Sequence, residues 1–568
     1  MGLNRFLILR FHKSSTNRFT RQSSNQLIFH AFFELFLAKY FPLKQIRSLF
    51  LSTLSGFLLF ASWPVSPFTV FIFFALVPLL WLELFCRKRI HFFLWTYIAL
   101  LVWNAATTWW MCNASLPGGI SAILANSLLM SIPWIGFYNV KRRMGETMGY
   151  ASLILFWMSF EYIHLNWELS WPWLTMGNVF ATHPDWVQWY EYSGTSGGTC
   201  WILCTNLLIF LSMRKGQGVW VKNKYAMGIL LIIIIPFSIS YAISKKTIPV
   251  EAGSIRNIVI IQPNVDPWNE KFVAGSEEAQ VHDLIRLSET GLDAKTALIV
   301  WPETAIPASL NEDSLRSTDL LHPIWDFLKA HPNINLLTGI EGYRIFTEKN
   351  KTGNSQKIQN SPYYFESYNS SALLDSDQFQ VYHKSRLVPG AETLPSFIHF
   401  LAAWFEKFGG TTGSYVRQDD RTVFRSYNHS YAIAPAICYE SIYGEFMAEY
   451  VKGGAGIIAI ETNDGWWGNT PGYKQHESYA RLRAIETRRW VVRSANTGIS
   501  CFINPKGKVI DAQPWDKKAV IKLDVPQLTC ITFFVSHGDI LSRIAIAASL
   551  LLIFWNFFDI IRAKRRRV

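Results

Sequence analysis

Three side chains that together could form a nucleophilic centre lie near the ends of short apolar runs. Glu303 lies in ALIVWPETAIP, Lys384 in FQVYHKSRLVPGAE and Cys438 in YAIAPAICYESIYGE. A thiol is a weak nucleophile until it becomes a thiolate, and a nearby carboxylate can accept its proton. A lysine beside both favours the thiolate and helps stabilise the oxyanion of a tetrahedral intermediate. Taken singly, each signal is weak, because a cysteine at the end of a strand is more often a core thiol, a glutamate after a proline can be a turn residue, and a lysine is usually a solvated surface charge.

The elements that would position these residues are alternating strand-like and helix-like segments between residues 245 and 537. We expect strands at Asn257–Gln262, Ala297–Trp301, Asn335–Ile340, Ser371–Leu374, Tyr431–Ile437, Gly456–Ile460 and Ile499–Ile503. Helical patterns lie between them, at 315–330 and 473–492, and 347–362 reads as a polar surface loop. This alternation predicts an α/β layered domain, in which functional side chains gather where strands end and loops begin.

Apolar segments long enough to span a bilayer lie on both sides of this domain. We expect spans near 47–62, 68–85, 91–111, 119–140, 147–165, 193–213, 226–244 and 538–561. Residues 28–42 are apolar but contain Glu34 and Lys39, which favours an interfacial helix or a poorly ordered extension. The predicted organisation is therefore an extension (1–46), about seven transmembrane helices (47–244), a catalytic domain (245–537), and a last transmembrane helix with a basic tail (538–568).

Basic residues follow every second predicted span. They lie at 87–89, 141–143, 214–224 and 562–567, and Lys245 and Lys246 are the local exception. Because short cytoplasmic loops are enriched in Lys and Arg, both termini are expected in the cytoplasm and 245–537 on the opposite side. The net charge of +13 thus follows membrane topology, and no nucleic-acid partner is expected. The seven cysteines show no CxxC pair or metal-ligand spacing, so no metal or cofactor is predicted.

The sequence around the three candidate residues resembles a known superfamily. WPETAIP, YHKSRLVPGAETLP and AICYESIYGE, in this order, resemble the Glu, Lys and Cys blocks of the nitrilase superfamily. The stretch TNDGWWGNTPGYKQHESYARLRAIETRRWVVRSANTGIS at 462–500 resembles the corresponding part of bacterial apolipoprotein N-acyltransferases. That family also joins several N-terminal spans to a nitrilase-like domain and ends with one more span. The resemblance covers about 47–568, and the extension before it is a departure from the family pattern.

The resemblance implies a fold and three catalytic roles. The fold would be an α-helical transmembrane domain joined to a nitrilase-like αββα sandwich. Glu303 matches the general base of the family, Lys384 its catalytic lysine and Cys438 its nucleophile.

It also implies roles for four further residues. Glu392 matches an active-site carboxylate, although a supporting salt bridge is the alternative. Tyr439 and Glu440 match the residues after the nucleophile that shape the site. Trp268 matches a tryptophan on a loop over the substrate, and an interfacial membrane anchor explains it equally well.

The resemblance further implies a ping-pong acyl transfer without a cofactor. An acyl chain would pass from a membrane phospholipid to Cys438 as a thioester, and then to the N-terminal amine of a diacylated apolipoprotein. This reaction would take place at the bacterial inner membrane, with the catalytic domain on the periplasmic side. The same Glu, Lys and Cys would also suit a membrane-tethered amidase, and a transporter or scaffold with an inactive nitrilase-like domain is a non-enzymatic alternative.

Two features near the membrane carry expectations of their own. Five tryptophans are expected to make interfacial contacts: Trp167, Trp171, Trp173, Trp186 and Trp189. Glu161 and Glu168 are expected to mark the end of a span rather than to line a substrate cavity. Loops at 264–275 and 463–473 are candidates for a mobile lid.

Overall fold

The computed structural model describes residues 43–215, 224–251, 253–394, 415–428 and 430–565. The predicted interfacial segment at 28–42 lies outside these residues, as does almost all of the predicted extension at 1–46.

Helices occupy each of the predicted membrane segments. They are α1 (Leu43–Ser62), α2 (Val77–Phe85), α3 (Arg89–Thr108), α4 (Leu116–Met144), α5 (Glu146–Leu165), α6 (Tyr190–Lys215), α7 (Lys224–Ser244) and, near the C-terminus, α12 (Ile540–Arg565). Within the described ranges, five of them are long and apolar enough to cross a membrane: α3, α4, α6, α7 and α12. The predicted span at 68–85 is not one continuous helix, because a 3₁₀ helix (Thr69–Phe73) precedes α2 and Pro78 lies at the start of α2.

A first mixed sheet forms one half of the domain that follows. Its strands are β1 (Ile255–Gln262), β2 (Thr296–Val300), β3 (Ile306–Asn311), β4 (Asn335–Thr347), β5 (Gln356–Lys357), β6 (Tyr363–Leu374), β7 (Phe379–His383) and β14 (Ala519–Pro526). They are ordered β14-β1-β2-β4-β6-β5, with β3 beside β4 and β7 beside β6. The parallel pairing of β1 with β2 and of β2 with β4 brings the carboxyl ends of these strands to one edge.

A second sheet forms the other half. Its strands are β8 (Phe424–Arg425), β9 (Ala432–Ile437), β10 (Ile457–Thr462), β11 (Trp490–Ala495), β12 (Cys501–Ile503) and β13 (Val509–Ile510), in the order β13-β12-β11-β10-β9-β8. Strands β9, β10 and β11 run parallel. The predicted helix at 473–492 is wrong at its end, since Arg488 adopts a left-handed conformation and the β-branched run after it forms β11.

The two sheets face each other, and helices cover their outer faces. Helices α8 (Glu277–Gly291) and α9 (His322–Ala330) pack on the first sheet, where Leu284 and Leu328 join a core with Ile299. Helices α10 (Gly444–Lys452) and α11 (Pro471–Thr487) cover the second sheet. The Ser494 hydroxyl bonds the Ile261 carbonyl between the sheets at 2.8 Å. The predicted fold class, a helical membrane part with an αββα sandwich, is thus confirmed.

Helix α11 also packs against the membrane helices. The Trp63 indole donates to the Tyr479 hydroxyl at 2.9 Å, and that hydroxyl donates to the Trp173 carbonyl at 3.0 Å. The Trp173 indole donates to the Gln475 side chain at 2.8 Å and is only 1% exposed. The expected interfacial role is therefore wrong for Trp173, because its ring is enclosed between α11 and the helical part rather than turned towards lipid headgroups.

Glu161 is buried as well. Its carboxylate accepts hydrogen bonds from the Trp157 indole, the Met176 amide and the Thr199 hydroxyl, at 2.9, 2.8 and 2.7 Å. This carboxylate binds the loop after α5 to α6, so it does more than mark the end of a span.

Candidate active site

Glu303 follows β2 and is held by donors from three elements. One carboxylate oxygen accepts from the Asn369 amide at 2.9 Å, and the other accepts from the backbone N–H of Asn463 at 3.1 Å. The turn is tight, since Thr304 has a φ of +47°. A Cβ at Gly339 of β4 would lie 2.7 Å from the Glu303 Cα, so only glycine leaves room for this turn.

Lys384 follows β7 and lies between two carboxylates. Its ammonium is 3.2 Å from the Glu303 carboxylate and 2.8 Å from that of Glu392, and its side chain is 1% exposed. Burial opposes the charge on Lys384, but Glu303 and Glu392 outweigh this effect and raise its pKa well above the usual value. Asn369 also donates to Glu392 at 2.9 Å, so one amide bridges both carboxylates. Lys384 is therefore a permanent cation at this edge of the sheet.

Cys438 lies at the sharp turn between β9 and a 3₁₀ helix, Cys438–Ile442. Its φ of +49° is rare for a residue with a side chain, and such strain is concentrated at functional sites. Burial raises the pKa of the thiol well above its ordinary value, and the negative charge of Glu303 adds to this effect while Lys384 opposes it. The resting form is thus the thiol, and a thiol in this state would need a base to become a nucleophile.

Glu440 connects the turn at Cys438, the predicted nucleophile, to the segment that contains Lys384. One of its oxygens accepts from the backbone N–H groups of Ser385 and Arg386, at 2.6 and 3.2 Å, and from the Tyr382 hydroxyl at 2.6 Å. The other accepts from the Ile437 N–H at 2.9 Å. Burial raises the pKa of Glu440 to about 7, although these four donors favour its ionised form.

Tyr439 connects the same turn to the membrane part. Its hydroxyl donates to the Ser170 carbonyl at 2.7 Å, and the Tyr443 hydroxyl lies 2.7 Å from that of Ser170. The residue after Cys438 is therefore fixed by a loop that belongs to the helical part of the chain.

A buried group of charged residues beside the turn at Cys438 was not predicted from the sequence. Asp464 pairs with the Arg493 guanidinium at 2.7 Å and with the His476 ring at 2.9 Å. The other ring nitrogen of His476 lies 3.2 Å from the Cys438 carbonyl and 3.1 Å from the Ser441 hydroxyl. Burial opposes its charge, but the Arg493 guanidinium and His476 lower the pKa of Asp464 to about 2. All three residues lie in the quoted 462–500 segment, but sequence separation alone does not bring them together.

Lys271 and Glu461 are two further buried residues of the site that the sequence did not predict. The Lys271 ammonium, 2% exposed, donates to the Glu303 carbonyl at 3.0 Å, and burial lowers its pKa to about 8. Glu461 on β10 accepts from the Ser371 hydroxyl at 2.5 Å across the two sheets, and burial raises its pKa well above the ordinary value. No sequence pattern predicts these contacts, because Lys271 lies in a loop and Glu461 in an apolar strand, and their partners are far away in the chain.

Trp268 is 57% exposed on the loop after β1. Its ring packs edge-on against Trp466 at 5.0 Å, and Phe272 stacks on the same Trp466 at 6.2 Å. These rings join the two loops predicted as lids, 264–275 and 463–473, at their exposed sides. The arrangement suits contact with apolar chains, since more than half of the Trp268 surface is left exposed. Among the described residues, no group of three or more His, Cys, Asp or Glu could hold a metal ion.

Comparison with known proteins agrees with this architecture. The model of the apolipoprotein N-acyltransferase N-terminal domain matches residues 55–208, and that of carbon-nitrogen hydrolases matches residues 258–532. An apolipoprotein N-acyltransferase from Chlorobaculum tepidum is 30% identical over 519 residues, which cover 88% of this chain and 95% of the relative. One from Geobacter metallireducens is 26% identical over 520 residues, covering 89% and 94%. The crystal structure of Saccharomyces cerevisiae Nit3, a nitrilase-superfamily member, is 15% identical, covers 49% of this chain and 93% of that one, and has a TM-score of 0.34.

A carbon-nitrogen hydrolase domain joined to several apolar helices defines a multi-pass membrane acyltransferase of the nitrilase superfamily. Within that class, the chain belongs to the apolipoprotein N-acyltransferase family.

Proposed function

We propose that this enzyme transfers an acyl chain from a membrane phospholipid to the N-terminal amine of a diacylglyceryl-cysteine apolipoprotein, in two steps through Cys438. The observation that carries this proposal is the ammonium of Lys384 between Glu303 and Glu392, beside a strained cysteine turn. Base, cation and thiol at one edge of the sandwich are the groups that acyl transfer through a thioester requires.

In the first step, Glu303 accepts the proton of the Cys438 thiol, and the thiolate attacks an ester carbonyl of the phospholipid. Lys384 and the backbone N–H of Tyr439, at the start of a short helix, stabilise the oxyanion. When the tetrahedral intermediate collapses, the lysophospholipid oxygen leaves and takes the proton from Glu303. The acyl chain remains on sulfur as a thioester.

In the second step, the α-amine of the apolipoprotein attacks the thioester. The amine nitrogen loses a proton to Glu303, the C–S bond breaks, and the proton returns to the sulfur of Cys438. The products are a triacylated lipoprotein and the free enzyme. Glu303 thus acts as base and then as acid in each step.

The membrane part supports this choice of substrates. Both are lipids, and each CH₂ group pulled from lipid into water costs about 0.8 kcal/mol. The hydrogen bond that ties Tyr439, next to Cys438, to Ser170 of the helical part supports a site close to the membrane, from which acyl chains need not leave the bilayer. We place the transmembrane helices of 47–244 and the last transmembrane helix in the bacterial inner membrane, with the basic tail at the end of 538–568 in the cytoplasm. The catalytic domain, 245–537, then lies on the periplasmic side, because the basic loops lie at the opposite ends of the helices.

The deciding experiment is intact-mass analysis of the purified full chain after incubation with phospholipid. We expect a single acyl adduct on Cys438, its loss on addition of a diacylated lipopeptide, and an N-acylated peptide as product. Cys438→Ala should give no adduct. An adduct on that variant would refute the nucleophile, and free fatty acid in place of N-acyl peptide would identify a hydrolase instead.

A further inference from the structure

Arg386 lies two residues beyond Lys384 and is fixed at both its backbone and its side chain. Its N–H donates to Glu440 at 3.2 Å, which ties it to the nucleophile turn. Its guanidinium carbon lies 5.1 Å from the centre of the Tyr443 ring and 5.9 Å from that of Phe446. The side chain is half-buried beside the loop whose Ser170 bonds Tyr443.

The charge of Arg386 has no counter-ion among the described residues. No carboxylate there lies within 4.0 Å of its guanidinium, and the guanidinium donates to no described acceptor. Three buried arginines of the domain have carboxylate partners: Arg483 with Glu486, Arg488 with Glu191 and Arg493 with Asp464. Arg256 and Arg489 have none in the described part of the chain but donate to backbone carbonyls instead. A guanidinium that stacks on an aromatic face keeps its N–H edge free for a planar, bidentate anion.

We propose that Arg386 binds the phosphate of the phospholipid donor while the ester of that lipid lies at Cys438. This inference rests on the proposed function. Two residues of extended chain span at most about 7 Å, so the Cα atoms of Arg386 and Lys384 lie within about that distance of each other. The Arg386 N–H and the Lys384 segment share the contact with Glu440, which follows Cys438 by two residues. Arginine is the side chain best suited to bidentate phosphate recognition. The phosphate is common to glycerophospholipids, so the contact selects phosphate-bearing donors over neutral esters rather than one headgroup over another.

The inference is tested by single-turnover acylation of Cys438 in the full chain, followed by intact mass. Two donors with the same acyl chain are compared: a phospholipid at subsaturating concentration and the neutral p-nitrophenyl ester. Arg386→Gln should slow acylation by the phospholipid about ten- to a hundredfold and leave acylation by the neutral ester unchanged. Arg386→Lys should fall between the two, because it keeps the charge but loses the planar fork.

Arg421 provides a matched control. Its guanidinium carbon lies 4.1 Å from the same Phe446 ring, but it is paired with Glu449 at 3.0 Å. Arg421→Gln should therefore leave the ratio of the two acylation rates unchanged.

The possible outcomes distinguish failure of the phosphate contact from failure of the proposed acyl transfer. Equal slowing of both donors by Arg386→Gln would mean a purely structural role, and no slowing would mean no role; either overturns the inference. If the unmodified enzyme is acylated by the neutral ester but never by phospholipid, the proposed function fails instead.

Discussion

Glu440→Gln is the substitution whose consequences follow most directly from the geometry. The carboxylate accepts hydrogen bonds on both oxygens, from the segment after Lys384 on one side and from the Ile437 N–H on the other. The side-chain amide of glutamine offers only one acceptor oxygen. If that oxygen keeps the three donors around Ser385, the NH₂ group faces the Ile437 N–H, donor against donor.

The expected cost can be estimated from that one lost acceptor. An unsatisfied buried N–H costs about 1–3 kcal/mol. Ile437 directly precedes the nucleophile, so we expect much of this cost to appear as misplacement of Cys438. Since 1.36 kcal/mol corresponds to a factor of ten in rate, acylation should slow by about ten- to a hundredfold.

Stability should change with pH in a defined direction. Burial raises the pKa of Glu440 to about 7, so between pH 4.5 and 7 the native state binds more protons than the unfolded state. The unfolding free energy of the unmodified enzyme therefore falls as the pH rises through this window, by about 3 kcal/mol from this group. Glutamine does not titrate, so the destabilisation caused by Glu440→Gln should be about 3 kcal/mol larger at pH 4.5 than at pH 8.

Two measurements check this reasoning: the single-turnover acylation rate, and denaturant unfolding of both proteins in mixed micelles at several pH values. Glu366→Gln is the control, because Glu366 is also buried and accepts from the hydroxyls of Thr352, Ser355 and Tyr368 rather than from the nucleophile turn. Its acylation rate should remain normal. Wild-type acylation in Glu440→Gln, or a destabilisation that does not vary with pH, would refute the argument.

Three further predictions concern other parts of the domain. Asp464→Asn should destabilise the fold by about 3–5 kcal/mol because Arg493 is left buried and unpaired. The pKa of Asp464 is lowered to about 2, so in unfolding titrations of the unmodified protein its stabilising contribution should disappear as the pH falls from about 4 to 2. Lys271→Met should lower the acylation rate about tenfold through loss of the hydrogen bond to the Glu303 carbonyl, and recovery in Lys271→Arg would separate positioning from folding. Gly353→Cys, at an exposed turn with open space around it, should react with a membrane-impermeant thiol reagent in intact spheroplasts, whereas reaction only after lysis would invert the proposed topology.

The strands of the fold could be predicted from the sequence where short, buried apolar runs are flanked by polar or turn-forming residues. Strands β1, β2 and β9 lie within one or two residues of their predicted limits because fully buried strands are continuous hydrophobic runs. Strand β14 was not predicted, because its sequence, AVIKLDVP, mixes apolar and polar residues and only its pairing with β1 identifies it as a strand. The break in the segment before α2 and the strand β11 depended on local turns that a helical pattern does not reveal.

The candidate site likewise contains residues that the sequence predicts and residues that it does not. Glu303, Lys384 and Cys438 could be singled out because the motifs around them, WPETAIP, YHKSRLVPGAETLP and AICYESIYGE, resemble the Glu, Lys and Cys blocks of the nitrilase superfamily. The geometry brings Lys384 to Glu303 and Glu392, as expected, while their catalytic roles stay predictions. Asn369, Lys271 and the ionic group around Asp464 could not be foreseen, since each acts through a contact between segments far apart in the chain.

The hydroxyl of Tyr439 and that of Tyr479 both hydrogen-bond to residues of the helical part, Ser170 and Trp173. A fragment restricted to residues 245–537 would lose these partners and expose the aromatic face of α11. Excising the sandwich is therefore not a route to a soluble version of this enzyme. Because a detergent that alters the packing of the helical part also alters these contacts, it changes the geometry around Cys438. Rates measured in micelles should therefore be compared only with rates from micelles of the same composition.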